Sequence, residues 1–167
     1  MRVLAVLTAC VLTIAGCGRR ESEPKETRPL TFEELSDTTG LSQGPEVVRT
    51  FEPYRMDNMA LRARGRLRFP DGTRLQLSVY PAGQTTLLAR IQFEVSGGQF
   101  DTPPILGPTG PLPHGHYHFE LLTYFDRAWQ PPEVLKETDN GRTLRGPGIT
   151  RGRNGEAAFV HTEDHRL

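Results

Sequence analysis

Cysteine is nearly absent from this chain. The 167 residues hold two, Cys10 and Cys17, both within the first seventeen positions. A disulfide framework or a catalytic thiol in the body of the chain is thereby excluded. Charge of one sign is missing as well, since 20 basic and 20 acidic side chains cancel to a formal net charge of zero. A general nucleic-acid binder carries a basic surplus, so no nucleic-acid partner is expected. Aromatic residues make up only 8% of the chain, with a single tryptophan, Trp129. Catalytic motifs are missing too: there is no Gly-x-Ser-x-Gly elbow and no His-Glu-x-x-His. The stretch Gly146-Pro147-Gly148-Ile149-Thr150-Arg151-Gly152 has too long a final gap for a dinucleotide fingerprint and follows no βαβ pattern.

One long apolar run is present, residues 3–15, broken only by Thr8 and Thr13 and preceded by Arg2. It falls short of the roughly 20 residues that a membrane-crossing helix needs, and it suits the apolar region of a secretory signal. The run ends Ile14-Ala15-Gly16-Cys17. That sequence resembles the lipobox of bacterial lipoproteins, with Ile14 where the family usually has leucine. The resemblance implies that the small side chains of Ala15 and Gly16 let the backbone enter a peptidase cleft and that the Cys17 thiol is the nucleophile that accepts diacylglycerol. The resemblance implies cleavage before Cys17, a covalent lipid on its sulfur and no other cofactor. An ordinary secretory signal with an incidental cysteine, or an N-terminal membrane anchor, is the competing reading.

Burial of an acyl chain is worth about 0.8 kcal/mol per CH₂, so one chain anchors marginally while two or three hold a protein on a membrane. The expected location is therefore the cell envelope, outward of the cytoplasmic membrane. Gly18 stands where the family's inner-membrane retention signal has aspartate, which favours the outer membrane where a cell has one.

Past Cys17 the composition changes. Residues 17–45 are polar and charge-mixed, with Pro24 and Pro29, and read as a tether between a signal peptide at 1–16 and a domain at 46–146. In that domain the period becomes two, the mark of half-buried strands. Leu61, Ala63, Gly65, Leu67 and Phe69 alternate with Arg62, Arg64, Arg66 and Arg68. A loop at Pro70-Asp71-Gly72 predicts a hairpin with Leu67 opposite Leu75 and Ala63 opposite Val79, and with Tyr80 stacked on Arg62. Leu87, Ala89, Ile91, Phe93 and Val95 form a further row, closed by a Gly97-Gly98 turn. Tyr117, Phe119, Leu121, Thr123 and Phe125 form another, and Val134-Leu135 suggests a last short strand. Strand and turn spacing implies an all-β fold, a single antiparallel β-sandwich. Residues 147–167, rich in glycine and arginine, read as a loose tail. Pro113-x-Gly115-x-Tyr117-x-Phe119 resembles the turn-into-strand motif of carboxypeptidase-regulatory and transthyretin-like sandwiches. That resemblance implies a turn at Gly115 and a core-capping Tyr117.

Three groups are candidates for function. The row Arg62, Arg64, Arg66 and Arg68 places like charges about 6.6 Å apart on one strand face. Either neighbouring carboxylates neutralise it, or it is a candidate anion-binding face. Its partners would then be an anionic glycan or glycolipid, or an acidic envelope protein. His116, His118 and Glu120 share the outward side of their strand and could hold a metal, or form an ordinary polar face. His161 and His165, with Glu163 and Asp164 between them, read as part of the solvated terminus. Trp129 is read either as a plug over the sandwich end or as an exposed contact. A small sandwich seldom supplies a preorganised pocket, so a non-catalytic, membrane-anchored envelope module is expected, with a small metal-binding protein as the alternative.

Overall fold

The computed structural model describes residues 44–152 and 155–167. Strand accounts for 49% and helix for 5%, which makes the class all-β, as the alternation predicts. The strands are β1 (Val48–Arg55), β2 (Leu61–Leu67), β3 (Arg74–Pro81), β4 (Ala89–Glu94), β5 (Gln99–Asp101), β6 (Leu106–Gly107), β7 (Gly110–Pro111), β8 (His116–Tyr124), β9 (Ile149–Arg151) and β10 (Ala157–Arg166). A three-stranded sheet runs β1-β2-β5, a five-stranded sheet runs β4-β3-β8-β10-β9, and β6-β7 form a small ribbon. Every pairing is antiparallel. The inner faces of the two larger sheets meet in one core, where Phe51 of β1 lies 5.6 Å from Phe119 of β8 and Phe69 lies 5.0 Å from Phe159 of β10.

The predicted facing of the side chains holds for the rows of β2 and β8, but in the row from Leu87 to Val95 the first residue fails: Leu87 precedes β4 and is exposed. Leu61, Ala63, Leu67 and Phe69 are buried while Arg64, Arg66 and Arg68 are exposed. The row from Tyr117 to Phe125 is buried at every predicted inward position. The predicted hairpin between β2 and β3 does not form. β2 pairs with β1 and β5, whereas β3 pairs with β4 and β8, so the Pro70-Asp71-Gly72 corner carries the chain from one sheet to the other. A hairpin would set both apolar rows side by side on one uncovered face. Crossing the corner turns Leu61, Ala63 and Leu67 towards Leu75, Leu77 and Val79, and each row covers the other. The Gly97-Gly98 turn is a two-residue loop as expected, with φ of 60° and 67° and a Ser96–Gln99 bridge, and it too leads from one sheet to the other. The two corners are clasped, with Gly98 N–H donating to Asp71 Oδ1 at 3.2 Å and Gly72 N–H to the Val95 carbonyl at 2.8 Å.

Two further expectations are corrected. Val134 and Leu135 are not in a strand but in the helix α1 (Pro132–Glu137), with both side chains buried. Proline at the helix start presets φ, and Asp139, Asn140 and Gly141 end the turn with positive φ. The tail is not loose. Ala157–Arg166 is the longest strand, seated between β8 and β9, with Ala157, Ala158 and Phe159 buried. Its second half is poor in strand-forming residues, and the ladder to β8 overrides that local preference.

Gly115 lies in a bend just before β8, not in a hydrogen-bonded turn. The Tyr117 phenol is buried and donates to the Pro113 carbonyl four residues upstream. Gly115 exchanges backbone hydrogen bonds with Leu167 at 2.8 and 2.9 Å, which ties the motif to the end of β10.

Candidate functional site

The arginine row lies on the outer face of the three-stranded sheet, and its two halves differ. Arg62 donates through Nε to the Thr102 carbonyl at 2.7 Å and its Nη2 lies 3.1 Å from Asp101 Oδ1. Arg64 Nε donates to Glu52 Oε2 at 2.9 Å, and its guanidinium stands 5.2 Å from the centre of the Tyr54 ring. Stacking therefore joins Arg64 to Tyr54, not Arg62 to Tyr80, because β1 and not β3 is the neighbour of β2. The Arg64 hydrogen bond, and then its charge, hold the Glu52 carboxyl below the ordinary glutamate value. Arg66 and Arg68 are exposed and have no ion pair or side-chain hydrogen bond among the described residues. A shallow groove of about 380 Å³ runs over this face, bordered by Glu52, Arg64, Arg66, Gln99 and Asp101. Opposite Arg66, β1 begins with a bulge between Val48 and Thr50, and Arg49 in it is exposed.

The histidine candidates are placed differently. His116 is exposed at the start of β8, and His118 lies with Nδ1 at 2.7 Å from Asp164 Oδ1. Glu120 stands between Ser78 and Thr162 in register. Among the described residues no three histidine, cysteine, aspartate or glutamate side chains are grouped as a metal ion requires. His161, Glu163 and His165, read from sequence as solvated, point instead to the inner side of β10. His161 Nε2 lies 3.3 Å from Glu163 Oε2 and His165 Nε2 lies 3.0 Å from Glu163 Oε1. The second contact is out of line for a hydrogen bond, so the buried His165 Nε2 has no hydrogen-bond partner among the described residues. Phe51 packs against both imidazoles, at 6.1 and 5.8 Å. A cleft of about 690 Å³ opens beside them between β1 and β10.

Trp129 is half-buried at one end of the five-stranded sheet, on its outer side, where β3 begins and β4 and β8 end, in a groove of about 410 Å³ with Arg74 and Glu94. The residue that holds it carried no signal in the sequence. Gln130 is buried, its Oε1 accepting from Arg74 N–H at 2.9 Å. Its Nε2 lies within 3.0 Å of the Arg74 carbonyl, Thr123 Oγ1 and the Tyr124 carbonyl. Nothing in a Trp-Gln-Pro-Pro sequence announces a buried amide.

Ile14, Ala15, Gly16 and Cys17 lie outside the described residues. Among the described residues no helix is long and apolar enough to cross a membrane. The chain matches no protein-family model, no curated protein and no solved structure.

Proposed function

We propose that this protein is a lipid-anchored module of the bacterial cell envelope that acts by binding an anionic partner, not by catalysis. The observation that carries the binding reading is the asymmetry of the arginine row. Glu52 and Asp101 answer Arg64 and Arg62, while Arg66 and Arg68 stand exposed without a carboxylate among the described residues. Two unanswered guanidinium forks, Arg66 near the end of β2 and Arg68 in the bend after it, suit phosphate or carboxylate groups of a polyanion. The anchoring reading is supported by the Ile14-Ala15-Gly16-Cys17 sequence alone. A metal role for His116, His118 and Glu120 is the weaker reading, because His118 is already engaged by Asp164.

The two parts are tested separately. Mass spectrometry of the protein isolated from membranes is expected to find the chain starting at Cys17 with acyl chains attached. An unmodified start at Met1 would remove the anchor. For binding, retention on immobilised lipopolysaccharide is expected to weaken with salt, since screening acts over about 8 Å at physiological ionic strength. Arg66→Gln with Arg68→Gln should reduce retention more than Arg62→Gln with Arg64→Gln, whose charges are already answered. Equal retention of both double variants and the parent would end the proposal.

A further inference from the structure

Trp129 is held from several sides. Asp126 Oδ1 accepts from the backbone N–H groups of Ala128 and Trp129, both at 2.9 Å. The indole Nε1 donates to the Arg74 carbonyl at 3.1 Å, and the ring meets Tyr124 edge-on at 6.3 Å. Gln130, buried in the same loop, fastens the following position to β3 and β8. An aromatic ring fixed in one orientation loses little further freedom when a ligand stacks on it.

The groove beside the ring has a definite polar pattern. Arg74 Nε donates to Glu94 Oε1 at 3.2 Å. Both Nη groups of Arg74, Glu94 Oε2 and the Gln92 amide have no partner among the described residues. Arg74 and Glu94 cancel in charge, so the groove offers an apolar plate and a set of planar donors and acceptors without a net field. A pyranose ring has the matching anatomy, with C–H groups across one face and hydroxyls, each donor and acceptor, around its rim. An anion would find the arginine already answered. A proline-rich peptide would use the indole but leave the donor–acceptor pair idle.

We propose that the Trp129 groove is a saccharide-binding site, taking a neutral pyranose with its C–H face on the indole and neighbouring hydroxyls on Arg74, Glu94 and Gln92. The site lies on the five-stranded sheet and rests neither on the lipid nor on the arginine face of the other sheet.

Trp129 is the only tryptophan in the chain, so its fluorescence reports the site directly. Full-length protein in a detergent without a sugar headgroup is titrated with maltohexaose, cellohexaose and chitohexaose. A saturable change in emission with at least one of them is expected. Arg74→Gln and Glu94→Gln, which keep the fluorophore, should each weaken that binding about tenfold, the loss set by unpaired hydrogen-bonding groups. Circular dichroism melts establish that both variants are folded, and Arg66→Gln with Arg68→Gln should bind the sugar as the parent does. No saturable response to any of the three at millimolar concentration would overturn the proposal. So would sugar affinity unchanged in both groove variants, or a response to a proline-rich decapeptide with the sugars silent.

Discussion

Gln130 gathers more hydrogen bonds than any other side chain amide in the described residues, and it does so in a buried position. Replacing it with leucine leaves the Arg74 N–H without its acceptor and removes one donor each from the Arg74 carbonyl, which keeps Thr123 and Trp129, and the Tyr124 carbonyl. Gln130→Leu is expected to lower stability by about 1–3 kcal/mol in urea denaturation, the cost of stranding a donor and losing the hydrogen bonds around it. A loss under about 1 kcal/mol would mean that water replaces the amide. Gly65 is constrained in another way. A Cβ there would sit 2.2 Å from the Thr50 carbonyl oxygen and 2.6 Å from the Phe100 ring. Gly65→Ala should therefore push β1 or β5 off β2 and lower stability by about 1–3 kcal/mol, read in the same assay. Glu52 offers a pH test. Its folded-state pKa is depressed by Arg64, so the pair's contribution is present at neutral pH and is lost as pH falls through that depressed value. Carboxyl NMR should find Glu52 titrating below the ordinary glutamate range, and Arg64→Gln should move its midpoint upward. An unmoved midpoint would show that the pair does not persist in solution.

Strand by strand, the period-two pattern reads which side chains face the core, although Ser78 is buried on the outer side as well and Leu87, placed in an inward row, is exposed. Val79 and Leu121 are inward for the same reason that Ser78 and Glu120 are not in the same row: successive residues of a strand face opposite ways. The pattern misleads where an element is short or locally atypical. Val134-Leu135 looks like a strand from two residues, but the prolines before it start a helical turn. β10 was hidden by the glycine-rich approach to it and by charged residues that rarely form strands alone. Its place between β8 and β9 makes it indispensable. A chain ending at residue 156 is expected to lose the native circular dichroism spectrum and a cooperative melt. A truncated chain that still melts cooperatively would mean that β3 and β8 hold the sheet without it. Among the described residues β1 is one of the two edges of the other sheet, and it carries Pro53 and a bulge, both of which hinder strand addition from another molecule.

Both sheets bury their inner faces in one continuous core, with Phe69 of the corner after β2 packed on Phe159 of β10 and Phe100 of β5 on Phe93 of β4. Calorimetry is therefore expected to find a single unfolding transition with equal calorimetric and van't Hoff enthalpies. Two separated transitions would mean that the sheets fold independently. At this scale the two proposed binding surfaces also separate. Arg66 and Arg68 lie on one outer face, and Trp129 with Arg74 and Glu94 lies on the other. Part of this was legible beforehand: the arginine row, the lone tryptophan and the tyrosine motif are visible as residues in a line. The carboxylates Glu52 and Asp101, the clamp of Gln130 and the inward His161, Glu163 and His165 were not, since each depends on a partner distant along the chain. What the sequence alone determined is the facing of the side chains and the position of the corners, because alternation and glycine or proline geometry are local properties of the backbone. Which strands became neighbours was decided only by the tertiary structure. Period two looks identical whether two apolar rows lie side by side in one sheet or face each other across a core, and only removal of both from water selects the second.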